Sequence, residues 1–486
     1  MAHITDLPIE ILTIIVTVYI YKRPHIRATI LTCRLFHQQF NHLLWTYISL
    51  CTSSKSPSAD ALKSHANLVR RLFHEEILPW EYYNITFPHL DNLGLWVSVE
   101  DPLKEEASPR WSSFLALNPS VCEIKIFTGA SLCLKDLWDT IIASPHSHKR
   151  LTINGSDLVP ISQQTSVNTF WGACTQFEEI EYHGRERLPL EGFEGVDFSR
   201  IKRFHYSPVV NVAEPLRLDW IGKLYNLRAL KYSSEYDNPI PLNNFAVLAA
   251  IPAWPLLESL ELGPTSGSDG EFAIMLHNLP PLRQWSLRTG DFGPASFTQL
   301  RDRHFDNLTT LRMSSVTTFT GPMALEALSG CPNLEVFKAC CISLKDLRQV
   351  PQPWICRRLK QLKVFFVANT EDSKSDTVTL FRQLSRLELL EHIDNDLDYI
   401  SATNARSIRG QAPKWRLDHG LTQLSTLSRL ILFESKDTEH DMRLEDVQWM
   451  LEHWPRLIIF TCKSPSPDPA TRDLISALLK QRKFTN

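Results

Sequence analysis

Residues 254–262 read WPLLESLEL, and residues 331–339, CPNLEVFKA, have the same spacing of apolar side chains. In the first stretch apolar residues stand at a position i, Leu257, and again at i+3 and i+5, Leu260 and Leu262. Side chains alternate between the two faces of a β-strand, so i+3 and i+5 share one face. We therefore expect that face to be buried and the i+4 side chain to point outward.

The same spacing recurs along most of the chain. Most copies start 24 to 31 residues apart, which is the period of a leucine-rich repeat, in which a strand and a helical return form one turn of a solenoid. The sequence therefore predicts an α/β protein, a horseshoe-shaped solenoid of about 14 strand–helix turns after a small N-terminal helical module. The copies start at Leu90, Val121, Phe177, Ile201, Leu227, Leu257, Leu282, Leu308, Leu334, Leu359, Leu427 and Leu457, with weaker copies near His148 and Leu390.

The first fifty residues have a helical pattern instead. Asp6 and Pro8 suit a helix start, and in the apolar run from Ile9 to Tyr21 the one charged residue is Glu10. This run carries two apolar stripes at helical spacing, and a second helical pattern follows from Ala28 to Trp45. Helical units of this size are marginally stable alone, so we expect an outside surface to complete the core.

Three blocks in this segment, LPIEIL at 7–12, LTCRLF at 31–36 and LW at 44–45, resemble an F-box. The chain as a whole resembles fungal-type F-box proteins with C-terminal leucine-rich repeats. In that family the F-box docks on Skp1 and tethers the chain to a cullin-RING ubiquitin ligase, the SCF complex. The resemblance implies Skp1 contacts at Leu7, Pro8, Ile11, Leu12, Ile15, Leu31, Cys33, Leu44 and Trp45.

The same resemblance implies an F-box at 1–50 and a leucine-rich-repeat domain at 86–486, and we expect a linker and helical connector at 51–85. It also implies a non-catalytic adaptor without a cofactor, which holds a target protein on the concave face for ubiquitination and proteasomal degradation. Two alternatives remain open. One is a ligase-independent interaction scaffold whose first residues are an ordinary helical cap on the repeats. The other is an enzyme that carries ubiquitin on its own cysteine.

Composition narrows the class of partner and compartment. The chain has 51 Lys and Arg against 54 Asp and Glu, so no global charge attracts nucleic acid or an anionic membrane. The apolar run from Ile9 to Tyr21 is too short to span a bilayer and lacks the features of a secretory signal, so we expect an intracellular protein, cytoplasmic or nuclear. Ten scattered cysteines without a C-x-x-C pair predict reduced, mostly buried thiols. Motifs for nucleophile elbows, phosphate loops and metalloproteases are absent from the sequence.

Outward positions of neighbouring repeats suggest where a target binds. Arg312, Lys338 and Lys363 occupy i+4 of three consecutive predicted strands, and Arg288 lies beside them. Converging cations of this kind are typical of sites for acidic or phosphorylated peptides. Exposed strand positions are also often basic for solubility alone.

Aromatic residues suggest a second candidate surface. Trp96 and Phe127 stand at i+6 of two early strands, and Phe365 and Phe433 lie near the C-terminal end. Exposed rings can anchor a partner, although loops can also cover them. The looser spacing at 391–426 predicts an insertion or an irregular long return.

Overall fold

The structure is a computed structural model of the 486-residue chain. It divides into two compact units, Met1–Val210 and Asn211–Asn486, which are described one at a time. The residues described are 34–50, 56–74, 80–97, 111–128, 135–144, 148–155, 164–184, 193, 195–208, 221–233, 239, 242, 245, 253–313, 315–368, 374–395, 413–439, 441–466 and 468–481.

The first unit contains a parallel sheet whose strands follow the order of the chain. Each strand pairs in parallel with the next one. Parallel neighbours require a crossover between them, and the described parts of these crossovers contain short helices and turns. The strands are β1 (Tyr47–Leu50), β2 (Arg71–His74), β3 (Asn92–Val97), β4 (Glu123–Thr128), β5 (Arg150–Gly155), β6 (Glu179–Gly184) and β7 (Arg203–Pro208).

Helix α1 of the first unit runs without a gap into β1. Its residues Phe36 and Phe40 lie one turn apart on a single face, are buried, and contact each other edge to face with ring centroids 5.6 Å apart. This stripe fixes the face that α1 turns toward the core. The helices are α1 (Arg34–Thr46), α2 (Ala59–Ser64), α3 (Trp80–Tyr83), α4 (Trp111–Leu117), α5 (Lys135–Ala143) and α6 (Gln164–Cys174), with a 3-10 turn at Ala66–Leu68.

The second unit has the same construction. Each strand again pairs in parallel with the next in the chain. Its strands are β8 (Ala229–Tyr232), β9 (Ser259–Pro264), β10 (Gln284–Thr289), β11 (Thr310–Met313), β12 (Val336–Ser343), β13 (Gln361–Val367), β14 (His392–Asp394), β15 (Leu432–Glu439) and β16 (Ile459–Ser464).

Most of the returns in this unit are helices with recognisable start signals. Ser268 and Glu271 form a reciprocal capping box at the start of α7, and Pro294 opens α8, where its missing N–H costs nothing. The helices are α7 (Asp269–Asn278), α8 (Pro294–His304), α9 (Gly321–Gly330), α10 (Leu344–Gln349), α11 (Lys374–Leu384), α12 (Leu444–His453) and α13 (Pro469–Gln481), with 3-10 turns at Ile221–Lys223, Leu417–His419 and Leu421–Thr426.

The predicted repeat pattern is confirmed by burial. At β9, for example, Leu257 just before the strand and Leu260 and Leu262 within it are each no more than 1% exposed. The weak copy that starts at His148 is buried as well, with Leu151 following at i+3. All fourteen predicted strands are present, as β3 to β16. The chain is thus an α/β leucine-rich-repeat solenoid, held together by apolar faces that neighbouring turns cover for each other.

Two strands precede residue 86, where we expected the repeats to begin. β1 and β2 pair with each other, and β2 pairs with β3, so repeat structure extends into the segment 51–85. The first of these turns starts at Trp45, with Ile48 buried at i+3 and Leu50 at i+5. The pattern was hidden because Trp45 also fits the helical block before it.

In β15 the predicted register is wrong by three residues. The sequence favours Leu427, Leu430 and Leu432, but Phe433 pairs with the i+3 residues of both neighbouring strands. Phe433 is fully buried, whereas Leu432 is half-buried. The repeat therefore starts at Leu430 and places Ser435 at i+5.

Candidate protein-binding surface

The outward i+4 positions of the second unit form one continuous row across its strands. The strand pairing confirms the predicted alignment, because the i+4 residue of each strand lies directly opposite the i+4 residue of the next strand. Eight of the nine side chains are exposed or half-buried, and Asp394 is buried. The i+4 row of the second unit consists of Lys231, Glu261, Ser286, Arg312, Lys338, Lys363, Asp394, Glu434 and Thr461.

The centre of this row brings together three of the predicted target-binding residues. Arg312 pairs in register with Lys338, and Lys338 with Lys363. Neighbouring strands lie about 4.8 Å apart, so the three side chains start within a span of about 10 Å. We call Arg312, Lys338 and Lys363 the cation row.

Burial and neighbouring positive charges both affect the pKa of Lys338, the middle residue of the cation row. The pKa of Lys338 is lowered to about 8, first by burial and then by repulsion from Lys363 and Arg312, while Asp394 works in the opposite direction. Lys363 forms an ion pair with Asp394 on the next strand. A negatively charged ligand at this point would relieve the repulsion that Lys338 experiences.

Acidic residues limit the cation row on both sides. On one side Lys231 and Glu261 form a salt bridge of 3.0 Å. On the other, Glu434 lies opposite Asp394. The positive part of the i+4 row is therefore short, which suits one compact anionic group better than an extended polyanion.

Arg288 extends the positive region onto a neighbouring strand. It stands at i+6 of β10, on the same face as Ser286, and its side chain is exposed. Arg312 is also exposed, and neither arginine makes a salt bridge with a described residue. Both guanidinium groups can therefore turn toward a ligand.

A β-bulge follows the cation row in β12. The pairing with β13 is regular at Lys338 and shifts before Cys341, so that Ala339 and Cys340 together lie opposite Val364. Bulges bend a strand and redirect its side chains, and they are frequent beside binding sites. The vicinal cysteines were the sequence signal at this position.

The outward row of the first unit has a different character. The pairing aligns Lys125, Thr152, Glu181 and His205, as predicted. Thr152 donates a hydrogen bond of 3.2 Å to Glu181. This row is mixed in charge and offers no run of cations.

Half of the predicted aromatic surface is buried. Phe365 and Phe433 are fully buried, so they are not exposed anchors, and the alternative that these rings are covered holds for both. Phe127 is half-buried and contacts Phe73 edge to face, with ring centroids 5.2 Å apart. The side chain of Trp96 lies outside the described residues.

Most of the predicted Skp1 contacts also lie outside the described residues. Leu44 and Trp45 are described, and both are half-buried. The ring of Trp45 stacks on His65 with centroids 4.0 Å apart and planes 6° from parallel. The predicted contacts outside the described residues are Leu7, Pro8, Ile11, Leu12, Ile15, Leu31 and Cys33.

Three of the described thiols, those of Cys174, Cys331 and Cys356, are poorly suited to nucleophilic chemistry. Burial raises the pKa of Cys356 to about 12 and raises the pKa of Cys174 and Cys331 as well. The thiolate is the nucleophile, and these side chains disfavour it. Within the described ranges, no group of three or more His, Cys, Asp or Glu side chains could hold a metal ion, and no helix is long and apolar enough to cross a membrane.

Comparison with known proteins gives likenesses among solved structures. No family model matches the chain, and no curated protein matches it. The chain is similar to the crystal structure of the TLR13–ssRNA13 complex, with a TM-score of 0.43 and 15% identity over 87% of this chain and 58% of that one. It is similar to the Rad7 and Elc1 complex in yeast, with a TM-score of 0.39 and 12% identity over 98% of this chain and 100% of that one. A third likeness is to the Toll–Spatzle complex of Drosophila, with a TM-score of 0.39 and 11% identity over 81% of this chain and 50% of that one.

The chain thus spans between half and three fifths of the length of the TLR13 and Toll chains. The fold assignment rests on the strand order and on the register of the buried positions. Repeats of this kind present an extended surface of parallel strands, which is the architecture of a protein-interaction scaffold.

Proposed function

We propose that this protein is the substrate-recognition subunit of an SCF ubiquitin ligase. Its N-terminal segment docks on Skp1, and the outward face of its repeats holds a target protein. Catalysis in such an assembly is proximity, because the scaffold raises the effective concentration of target lysines near ubiquitin carried by another subunit. In this proposal the catalytic groups belong to other subunits of the ligase.

The observation that carries this proposal is the direct junction between α1 and β1. Helix α1 ends at Thr46 and β1 begins at Tyr47, so no flexible linker separates the LW block at 44–45 from the first strand. A partner bound to this block would be held at a fixed position relative to the first unit. Such rigidity is what transfer by proximity requires.

The half-buried side chains near the end of α1 support the same proposal. Leu43, Leu44 and Trp45 retain exposed area although they are apolar or aromatic. Trp45 already contacts His65 within the chain, so part of its surface is used internally. The area left is available to a second polypeptide.

Capture of purified Skp1 by the full-length chain tests the proposal. The double variant Leu7→Ala, Pro8→Ala should lose Skp1, and Leu44→Ala should weaken it. His42→Ala is the matched control, because His42 is an exposed residue on the same helix and lies outside the predicted contact. Circular dichroism of each variant would show that the repeats remain folded.

Undiminished capture by the double variant would refute the predicted contacts at Leu7 and Pro8, and absence of Skp1 capture by the parent chain would refute the adaptor role. In that case a ligase-independent scaffold would be the better description, provided that a partner still binds the repeats. A reducible ubiquitin adduct on the isolated chain would instead favour an enzyme.

A further inference from the structure

We propose that the cation row binds a single phosphoserine or phosphothreonine in a target protein, with Arg312 and Lys338 as the principal contacts and Arg288 beside them. This inference rests on the proposed use of the outward face of the repeats as a protein-binding surface. It adds the chemistry by which one class of target is selected.

The balance of charge favours a phosphate over a carboxylate. From Arg312 to Asp394 the i+4 row carries three cations and one carboxylate, which is a net charge of 3 − 1 = +2. A phosphorylated side chain carries about −1.5 to −2 at pH 7. One phosphate can therefore neutralise this segment, whereas one carboxylate would leave about half of the charge.

Geometry limits the ligand to one compact group. The cation row spans about 10 Å, and the Lys231–Glu261 salt bridge and Glu434 bound it at the two ends. A continuous polyanion such as a nucleic acid strand would have to cross these acidic positions. The near-neutral composition of the chain is consistent with this restriction.

The neighbouring outward positions suit a polypeptide backbone. The i+2 row beside the cations contains Gln284, Thr310, Val336 and Gln361, which pair in register. These side chains are uncharged; Thr310 is buried, whereas Gln284 and Gln361 are exposed and can donate or accept hydrogen bonds. A peptide crossing the strands here would place its phosphate over the cation row.

Binding should also take up protons. A bound dianion stabilises the charged form of Lys338 and so raises its pKa, which is about 8 in the free protein. At pH 8 about half of the Lys338 side chains are neutral before binding, so each bound phosphate should draw in up to about half a proton. Among the described residues, the charged groups that act on this side chain are Lys363, Asp394 and Arg312.

The test uses the full-length chain without Skp1 and a fluorescein-labelled degenerate peptide pool with one central phosphoserine. Fluorescence anisotropy should show binding that inorganic phosphate competes away. Arg312→Gln and Lys338→Gln should each weaken binding by about tenfold or more, the usual effect of losing a charge-assisted hydrogen bond. Because Arg312 is exposed, its variant should fold normally.

Lys231→Gln is the matched control. It removes the same charge from the same i+4 row, but it lies three strands from Arg312, about 14 Å away, beyond the screening length of about 8 Å at physiological salt. This variant should bind the pool like the parent chain. Calorimetry at pH 8 in two buffers of different ionisation enthalpy should detect proton uptake in the parent chain and none in Lys338→Gln.

Three results would overturn the proposal. One is equal affinity of Arg312→Gln, Lys338→Gln and Lys231→Gln for the phosphorylated pool. The second is equal binding of pools with Ser or Glu at the central position. The third is competition by a single-stranded oligonucleotide that is as strong as competition by phosphopeptide. Because Skp1 is absent from this assay, its failure leaves the adaptor role untouched, and loss of Skp1 capture leaves the phosphate site untouched.

Discussion

Mild acid should destabilise the second unit through one buried histidine. His304, the last residue of α8, is fully buried. Its Nδ1 accepts a hydrogen bond of 3.0 Å from the backbone N–H of Leu282, and its Nε2 lies 3.1 Å from the carbonyl oxygen of Leu276. These partners assign the neutral tautomer with the proton on Nε2. A proton added to Nδ1 would point at the backbone N–H of Leu282, from which Nδ1 now accepts a hydrogen bond.

The size of the effect follows from the pKa of this ring. Burial, and to a smaller extent the charge of Arg303, lowers the pKa of His304 from 6.5 to about 4, although the hydrogen bond to Leu276 opposes this shift. The unfolded chain therefore binds a proton at pH values where the folded chain does not. The stabilising contribution is complete above pH 6.5 and is lost as the pH falls toward 4. Each pH unit in this window lowers the free energy of unfolding by about 1.4 kcal/mol. The total loss is about 2 kcal/mol at pH 5 and about 3 kcal/mol at pH 4.

Urea unfolding at pH 7 and pH 5 would measure this loss in the full-length chain. His304→Gln provides the comparison, because an amide can accept at one atom and donate at another without titrating. The chain already uses amides in this way. Asn118 accepts from the N–H of Phe87 at 2.6 Å, and Gln383 accepts from the N–H of Trp354 at 3.0 Å.

Titratable groups that the parent chain and His304→Gln share contribute equally to the pH dependence of both. Their contributions therefore cancel when the two losses of unfolding free energy are subtracted. The parent chain should lose about 2 kcal/mol more than His304→Gln between pH 7 and pH 5. His304→Leu should be destabilised already at pH 7, because it leaves a buried N–H and a buried carbonyl without partners, at about 1–3 kcal/mol for each. Identical pH dependence in the parent chain and His304→Gln would refute this reasoning.

Two further substitutions test contacts between turns within a unit. Arg416→Met should lower the free energy of unfolding by about 1–2 kcal/mol, since it removes two local hydrogen bonds to Asp418, of 3.0 and 2.7 Å, and one of 2.8 Å to Asp441, which lies 25 residues along the chain. Both carboxylates remain partly in water, and an unchanged urea midpoint would contradict this prediction. Gly94→Ala should cost about 1–3 kcal/mol, because the added methyl group would overlap the ring of Phe73. The matched control is Gly270→Ala, where nothing lies within 4 Å of the new Cβ, and thermal unfolding should show it to be neutral or slightly stabilising.

The sequence predicts the repeats well because each one carries its own signal. An apolar residue at i, i+3 and i+5 is sufficient to place fourteen strands and to align the i+4 row, as Arg312, Lys338 and Lys363 show. This success depends on the period of two residues in a strand, which links burial directly to position. The Skp1 prediction has a different basis, since it depends on a resemblance and stays a prediction.

The register error in β15 shows where this signal fails. The stretch around Leu427 contains two overlapping sets with the right spacing, and the wrong set is the more apolar. The structure has the other set, which buries Phe433 and also gives buried Asn395 a partner, because its side-chain amide donates a hydrogen bond of 3.0 Å to Oγ of Ser435. That partner lies forty residues along the chain, so no local pattern could reveal it. Buried polar groups are tolerated only when they are paired, and the pair had to be found in three dimensions.

The solvent exposure of the cation row is a second property that the local sequence pattern could not predict. Alternation along each strand predicts that Lys338 points outward, but it says nothing about how much water reaches it. Its half-buried position and its like-charged neighbours on both sides arise from the register of three strands and from the bulge after Lys338. Together they keep this lysine close to its neutral form near pH 8, unlike a solvated lysine that serves only solubility. An anion beside this lysine would stabilise its charged form, and the proposed phosphate contact supplies such an anion.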